Sequence, residues 1–236
     1  MDFLAGEIIC VNKPYRMTSF GALAHVRYVL SKRLHVRRLK MGHAGTLDPL
    51  ATGVLILCTG RKTKEIEQLQ LHTKEYTATL QLGATTASYD MEHPVDQTYP
   101  TSHITLQLIQ RTLPQFIGQI QQVPPAYSAC KIGGDRAYQL KRDGEDVQLA
   151  AKTVRIDEVE LLWFDPEKMQ MQIRVVCGKG TYIRSLGRDI GEALHSGAYL
   201  TQLTRTRVGD VRIEDCITMD NLNKWLDNVL EDSKQE

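Results

Sequence analysis

Apolar and polar positions alternate along the chain in a way that predicts short strands and a few helices. Residues 7–12 are apolar and partly β-branched, which predicts a strand. Thr18-Ser19 offers an N-cap for a helix running to about Leu34, with Phe20, Leu23, Ala24, Val26 and Leu30 as its apolar stripe. Residues 41–52, rich in Gly, Thr and Pro, predict a loop; 54–59 predict a buried strand and 62–71 a short helix. Period-two alternation puts Tyr76, Ala78, Leu80 and Leu82 on one face of a strand over 74–82. Residues 83–100 read as a loop, 105–113 as a helix punctuated by Pro114, and 116–121 and 127–132 as strands either side of Pro124-Pro125. A helix over 136–142 closes at Asp143-Gly144, and 154–164 pairs with 169–177 as a hairpin across Asp165-Pro166. A helix over 180–195 and a strand over 199–208 follow. Nothing repeats at a fixed period, and βαβ alternation is missing, so the pattern favours an α+β fold with a mixed, largely antiparallel sheet. One domain over 1–217 and a short acidic tail over 218–236 are expected.

Composition adds little until charge is located. The 236 residues, 42% hydrophobic and 24% charged, suit a globular chain with a sizeable core. The longest apolar run, from Gly53 to Cys58, is too short to span a bilayer, and the N-terminus has no signal-like stretch, so a soluble cytoplasmic protein is expected. Five scattered cysteines without a C-x-x-C pair read as reduced thiols. Seven histidines without metal-ligand spacing imply no metal. The net charge of +1 hides an asymmetry: residues 8–64 hold eleven Lys and Arg and one carboxylate, Asp48, whereas 209–236 hold eight carboxylates and three bases. A polyanion could bind the first region, although a solvated charged face has the same composition.

The loop Gly42-His43-Ala44-Gly45-Thr46-Leu47-Asp48-Pro49-Leu50-Ala51-Thr52-Gly53 is the strongest local signal. Its glycines permit close backbone approach to a ligand, and Pro49 pushes Asp48 out of the helical region. A carboxylate among cations suits a nucleophile, while an ordinary turn has the same ingredients. Gly60-Arg61-Lys62-Thr63 invites a phosphate-loop reading but fails on spacing, because Gly53 lies seven residues before Gly60 where five are required.

The 42–53 loop resembles the signature of the TruB family of pseudouridine synthases, and other segments agree with the family in order. Lys13-Pro14 with Thr18-Ser19 resembles its K-P-x-G-x-T-S motif, and Lys74-Glu75-Tyr76 its K-x-Y strand. Pro125-Ala126-Tyr127-Ser128-Ala129-Cys130-Lys131, followed by Gly134 and Arg136-Ala137-Tyr138, is similar to its P-x-Y-S-A-x-K stretch. Gly178-Lys179-Gly180-Thr181-Tyr182-Ile183-Arg184 and Leu203-Thr204-Arg205-Thr206 complete the set. Arg16 stands where the family usually has glycine, so a differently built turn or a phosphate contact is expected there.

The resemblance implies a pseudouridine synthase fold and a cofactor-free isomerase acting on uridine 55 in the T-loop of tRNA, with the T stem-loop as partner, no metal, no membrane and no obligate protein partner. It implies Asp48 as catalytic carboxylate, Tyr76 stacked on the target base, and Arg184 paired with Asp48. Tyr182 and Leu203 would line the uridine pocket, His43 would pack near the flipped nucleotide, and Lys64 would be a basic position near the site. Attack at C1′ and proton removal from C2′ both remain open as the carboxylate's first act. Phosphate contacts are expected on residues 32–40 with Arg61 and Lys62. The family's usual C-terminal RNA-binding domain is not expected in the residues that follow the last motif, and the acidic tail is expected to point away from RNA. The rival reading is a non-catalytic RNA-binding module or RNA chaperone of the same fold; a guide-RNA-dependent relative ranks lower.

Overall fold

A computed structural model describes every residue except Ala129, Gly133, Gly134, residues 143–146, Gln148 and residues 233–236. In chain order the elements are β1 (Ile8–Lys13), α1 (Ser19–Arg33), β2 (Met41–His43), β3 (Ala51–Thr59), a 3-10 turn (Gly60–Glu65) running into α2 (Ile66–Leu69), and β4 (Lys74–Leu82). Next come β5 (Ala84–Thr86), β6 (Val95–Thr98), α3 (Leu106–Thr112), β7 (Gly118–Gln122), β8 (Lys131–Ile132), β9 (Asp135–Arg136) and α4 (Ala137–Arg142). The chain continues through β10 (Lys152–Asp165), β11 (Gln170–Cys177), α5 (Ile183–Ala193), β12 (Ala198–Val208), β13 (Val211–Arg212), β14 (Ile217–Thr218) and α6 (Leu222–Asp232). β1 pairs parallel with β14, whereas β1–β3, β2–β3, β7–β10 and β10–β11 are antiparallel, in keeping with the mixed, largely antiparallel expectation. Contacts group the chain into two units, Met1–Glu75 with Thr204–Glu236, and Tyr76–Leu203, rather than into one domain and a tail.

The first unit is built on β3. Its apolar run does not alternate because both faces are covered. Leu55 and Leu57 pack with Ile9 and Val11 of β1 against Leu23, Val26 and Leu30 of α1 and Leu222 and Leu226 of α6. Val54, Ile56 and Cys58 face the other way, with Ala44 and Val208. β1 pairs antiparallel with β3 from Ile8↔Cys58 to Lys13↔Gly53, and β2 adds to the far edge of β3. Thr18 caps α1, its hydroxyl accepting the Gly21 N–H at 2.9 Å, a contact worth about 1 kcal/mol.

The second unit pairs β7, β10 and β11 antiparallel, and Asp165 Oδ1 accepts the Glu167 and Lys168 amides to close the β10–β11 turn. On α5, Ile183, Leu186 and Ile190 are buried, and Gly187 has no room for a side chain against Leu80 and Leu200.

Several expectations are corrected. Phe20 is 64% exposed: the buried face of α1 is Ser19, Ala22, Leu23, Val26 and Leu30, so the apolar stripe read from sequence was rotated toward solvent. The 41–52 loop begins as strand β2, and the 83–100 loop contains the β5–β6 hairpin, whose second strand is exposed throughout and offers no alternation to read. The strand expected over 127–132 shrinks to Lys131–Ile132. Residues 218–232, expected as an acidic tail, end β14 and form α6, whose Leu222 and Leu226 are buried while Asp227 pairs with Arg33 at 2.7 Å. The helix stop at Asp143-Gly144, Ala129 and Gly134 of the P-x-Y-S-A-x-K stretch, and Glu236 lie outside the described residues. Arg16 takes φ 61°, the left-handed conformation that glycine adopts at no steric cost, so an arginine makes a glycine-type turn here under strain. Its guanidinium lies 5.5 Å from the Tyr15 ring centroid.

Candidate active site

Asp48 is half-buried in the first unit, in a loop whose backbone is fixed from three sides. From α1, the Ser19 hydroxyl accepts the Leu47 N–H at 2.8 Å and donates to the Leu47 carbonyl at 2.9 Å. From β1, the fully buried Lys13 ammonium donates to the carbonyls of Met17 at 2.6 Å, Pro14 at 3.0 Å and Pro49 at 3.4 Å. From β12, the guanidinium of Arg205, only 1% exposed, donates to Val54 O at 2.8 Å and Gly45 O at 3.2 Å. The Thr52 and Thr204 hydroxyls meet at 2.9 Å, and the Ala51 N–H closes a turn onto Asp48 O at 3.1 Å.

These buried cations explain two sequence features. Gly53 has φ 108°, and a Cβ there would collide with the backbone of Arg205. Gly53→Ala is therefore expected to destabilise the first unit by at least about 2 kcal/mol, read as a lowered urea midpoint. Lys13 has its pKa lowered to about 8 by burial first, against the attraction of Asp48, with Arg205 lowering it further. A lysine held below its ordinary value binds fewer protons folded than unfolded. Its burial penalty is thus fully present below about pH 8 and is relieved as pH rises toward about 10.5. The stability difference between the wild type and Lys13→Met is expected to move in the wild type's favour across that window. At about 1.4 kcal/mol per pH unit the full change is on the order of 3 kcal/mol. Denaturant titrations at pH 7.5 and pH 10 measure it.

His43, on β2, is half-buried with Nδ1 buried and unpartnered. Burial, then the charge of Arg205, lowers its pKa, so its ring is neutral at pH 7. Lys64 is exposed on the 3-10 turn, and the neighbouring Lys62 spends its ammonium on Glu65 at 2.8 Å.

The other candidates belong to the second unit. Tyr76 is buried on β4, and Leu203 is partly buried on β12. Tyr182 stands at the N-cap of α5 without a capping side chain of its own. Gln122 supplies the missing partners: its Oε1 accepts the Tyr182 N–H at 2.8 Å and its Nε2 donates to the Tyr182 carbonyl at 3.1 Å. Burial, then Cys130, raises the Tyr182 phenol, partly offset by a bond with Ser128, so it is neutral at pH 7.

Arg184 is buried in the first turn of α5, where a cation opposes the helix dipole. Three groups offset that cost: the Ser88 carbonyl at 3.2 Å, the Tyr127 carbonyl at 3.0 Å, and the buried Asp90 carboxylate at 3.8 Å. Asp90 is itself held by the Ser88 hydroxyl at 2.5 Å and the Glu92 N–H at 3.0 Å. Sequence reasoning missed Asp90 and assigned no role to Lys13, Ser19 or Arg205, although the last three sit inside quoted motifs. Asp48, His43 and Lys64 thus fall in one unit and Tyr76, Tyr182, Arg184 and Leu203 in the other.

Comparison with known proteins agrees over the whole chain. Residues 31–183 match the family model "TruB family pseudouridylate synthase (N terminal domain)", and residues 184–235 match "tRNA pseudouridylate synthase B C-terminal domain". The chain is 60% identical over 229 residues to the tRNA pseudouridine synthase B of Bacteroides thetaiotaomicron, covering 96% of this chain and 95% of that one. It is 46% identical over 218 residues to the protein of the same name from Flavobacterium johnsoniae, covering 92% and 94%. Among solved structures it resembles a Cbf5-Nop10-Gar1 complex with TM-score 0.68 and 27% identity, over 94% of this chain but 55% of that one, so it spans little more than half of the matched chain. An H/ACA RNP bound to a substrate RNA containing 2′-deoxyuridine gives the same TM-score and identity. The chain belongs to the TruB family of pseudouridylate synthases and is an isomerase.

Proposed function

We propose that the enzyme converts uridine 55 in the T-loop of tRNA to pseudouridine, with Asp48 as its nucleophile. The observation that carries this reading is the immobilised Asp48 loop, held by Ser19, Lys13 and Arg205. A carboxylate presented on so fixed a backbone acts without reorganising. The relatives named tRNA pseudouridine synthase B support the substrate.

The target base must first leave the RNA stack, at a cost of a few kcal/mol. Stacking on Tyr76 offsets about 1–3 kcal/mol of it, and the neutral His43 ring packs beside the flipped nucleotide. Asp48 then acts at the ribose, at C1′ or by removing the C2′ proton. The N1–C1′ bond breaks, the uracil turns over, and C5 bonds to C1′ as Asp48 leaves C1′ on the first route or returns the proton to C2′ on the second. The C5 proton is lost to a base, Tyr76 or a water that it orients, and N1 gains one from solvent, so the reaction is redox-neutral and needs no cofactor. Arg184 is the cation of the site, Tyr182 and Leu203 keep the freed uracil from escaping, and Lys64 meets phosphate. Among the described residues no helix is long and apolar enough to cross a membrane. We assign the enzyme to the cytoplasm, with the T stem-loop as its partner.

The test is incubation with unmodified tRNA transcripts, followed by mapping of pseudouridine. Modification at the T-loop uridine is expected; modification only elsewhere overturns the assignment.

A further inference from the structure

The outward face of α1 carries two large aromatic rings among the polar side chains that a surface helix normally turns to solvent. Phe20, Ala24, Arg27 and Ser31 follow one another at the four- and three-residue steps of a single helical row, and Tyr28 flanks it. Phe20 is 64% and Tyr28 66% exposed, two large aromatic faces about 12 Å apart along the axis. Beside them the chain folds back after the helix. A groove of about 720 Å³ lies between, lined by Ala24, Arg27, Tyr28 and Ser31 from α1 and by Arg37, Arg38, Leu39 and Lys40 from the returning segment. Its lining contains four cations and no carboxylate. Among the described residues none of those four cations is in an ion pair; the ion pair on α1 is Arg33 with Asp227.

Exposed aromatic faces interleaved with unpaired cations are what unpaired nucleotides need: stacking for the bases and neutralisation for the phosphates. An acidic protein surface would pair with the cations but has no use for two flat ring faces. The position fits too, because Phe20 follows Ser19, whose hydroxyl pins the Asp48 loop through Leu47. The row therefore begins at the nucleophile loop and leads away from it along α1.

We propose that the outer face of α1 from Phe20 to Ser31, together with Arg37, Arg38 and Lys40, is a second RNA-contact surface. It takes the phosphodiester backbone and unstacked bases of the same RNA whose uridine reaches Asp48. This deepens the tRNA reading, on which it rests for the identity of the RNA. The footprint then extends beyond the uridine pocket along the first unit.

The experiment is equilibrium binding of an unmodified tRNA transcript at a series of salt concentrations. Wild type is compared with Arg37→Ala/Arg38→Ala/Lys40→Ala and, separately, Tyr28→Ala; all four residues are exposed, and circular dichroism confirms that each variant folds. Loss of three phosphate contacts should weaken binding at least about tenfold near 0.1 M salt and lower the slope of log K against log salt by about two to three. Tyr28→Ala should weaken binding by about five- to tenfold or more with an unchanged slope, as loss of a stacking face does. Wild-type affinity and slope in the triple variant would overturn the proposal, as would a slope change without any effect of Tyr28. Failure of the underlying reading shows differently: wild-type protein would leave the T-loop uridine unmodified, whereas binding and slope decide the α1 surface on their own.

Discussion

Asp48→Asn is expected to lower the rate of pseudouridine formation by at least about 10⁴-fold while tRNA binding stays within a few-fold of wild type. The asparagine keeps the volume and polarity of the side chain. The loop is held through backbone groups, by Ser19 on Leu47, Lys13 on Pro49 and Arg205 on Gly45, none of which depends on the carboxylate. The substitution therefore removes a charge and a nucleophile without removing the scaffold. Single-turnover assays beside filter binding separate the two effects. Retention of activity would place the catalytic carboxylate elsewhere; loss of binding in step with activity would mean that the carboxylate is structural.

Arg184→Met should be the next most damaging change. The guanidinium is buried at the start of α5, and its removal leaves Asp90 as a buried carboxylate facing an apolar side chain, with the Ser88 and Tyr127 carbonyls short of a donor. Breaking such a pair costs on the order of 3–5 kcal/mol, equivalent to about two to nearly four decades in kcat/KM where the geometry is needed in the transition state. Lys62→Ala should have little effect by comparison, because Lys62 is half-exposed and shared with Glu65. The double variant Arg184→Met/Asp90→Asn should recover part of the lost thermal stability, since Asp90 then carries no charge, yet none of the activity. Equal kinetic losses in Arg184→Met and Lys62→Ala would contradict these roles, and an unrecovered Tm in the double variant would remove Asp90 as the partner that matters.

The elements with strong periodicity were legible from sequence: β1, β4, the β10–β11 hairpin and β12 fall close to where alternation puts them. The β5–β6 hairpin was not, because β6 is exposed along its whole length and local composition carries no burial signal. Phe20 shows the limit of the helical stripe: its size suggested core, but only the packing of β1 and α6 decides which face of α1 is inside. The motifs pointed to the right neighbourhood for the site without showing how it is held. Arg205 reaches Val54 across 151 residues of sequence and Gly45 across 160, and no local pattern announces such a contact. Asp90 was invisible for a related reason, since it lies in a stretch read as loop and becomes meaningful only when α5 carries Arg184 to it.

The unit that carries Asp48 is discontinuous, joining Met1–Glu75 to Thr204–Glu236. On a ribosome the Asp48 loop emerges early, but Arg205, Thr204 and the Leu222–Leu226 ridge that complete its surroundings emerge only after the whole of the second unit. Domains usually fold in the order of synthesis. Here that order is inverted: the second unit can mature first, while β1, α1 and β3 wait with one side of their core uncovered. The nascent first unit is then the vulnerable species, its apolar strands open to chaperones or to aggregation. The active enzyme comes into being only when α6 docks.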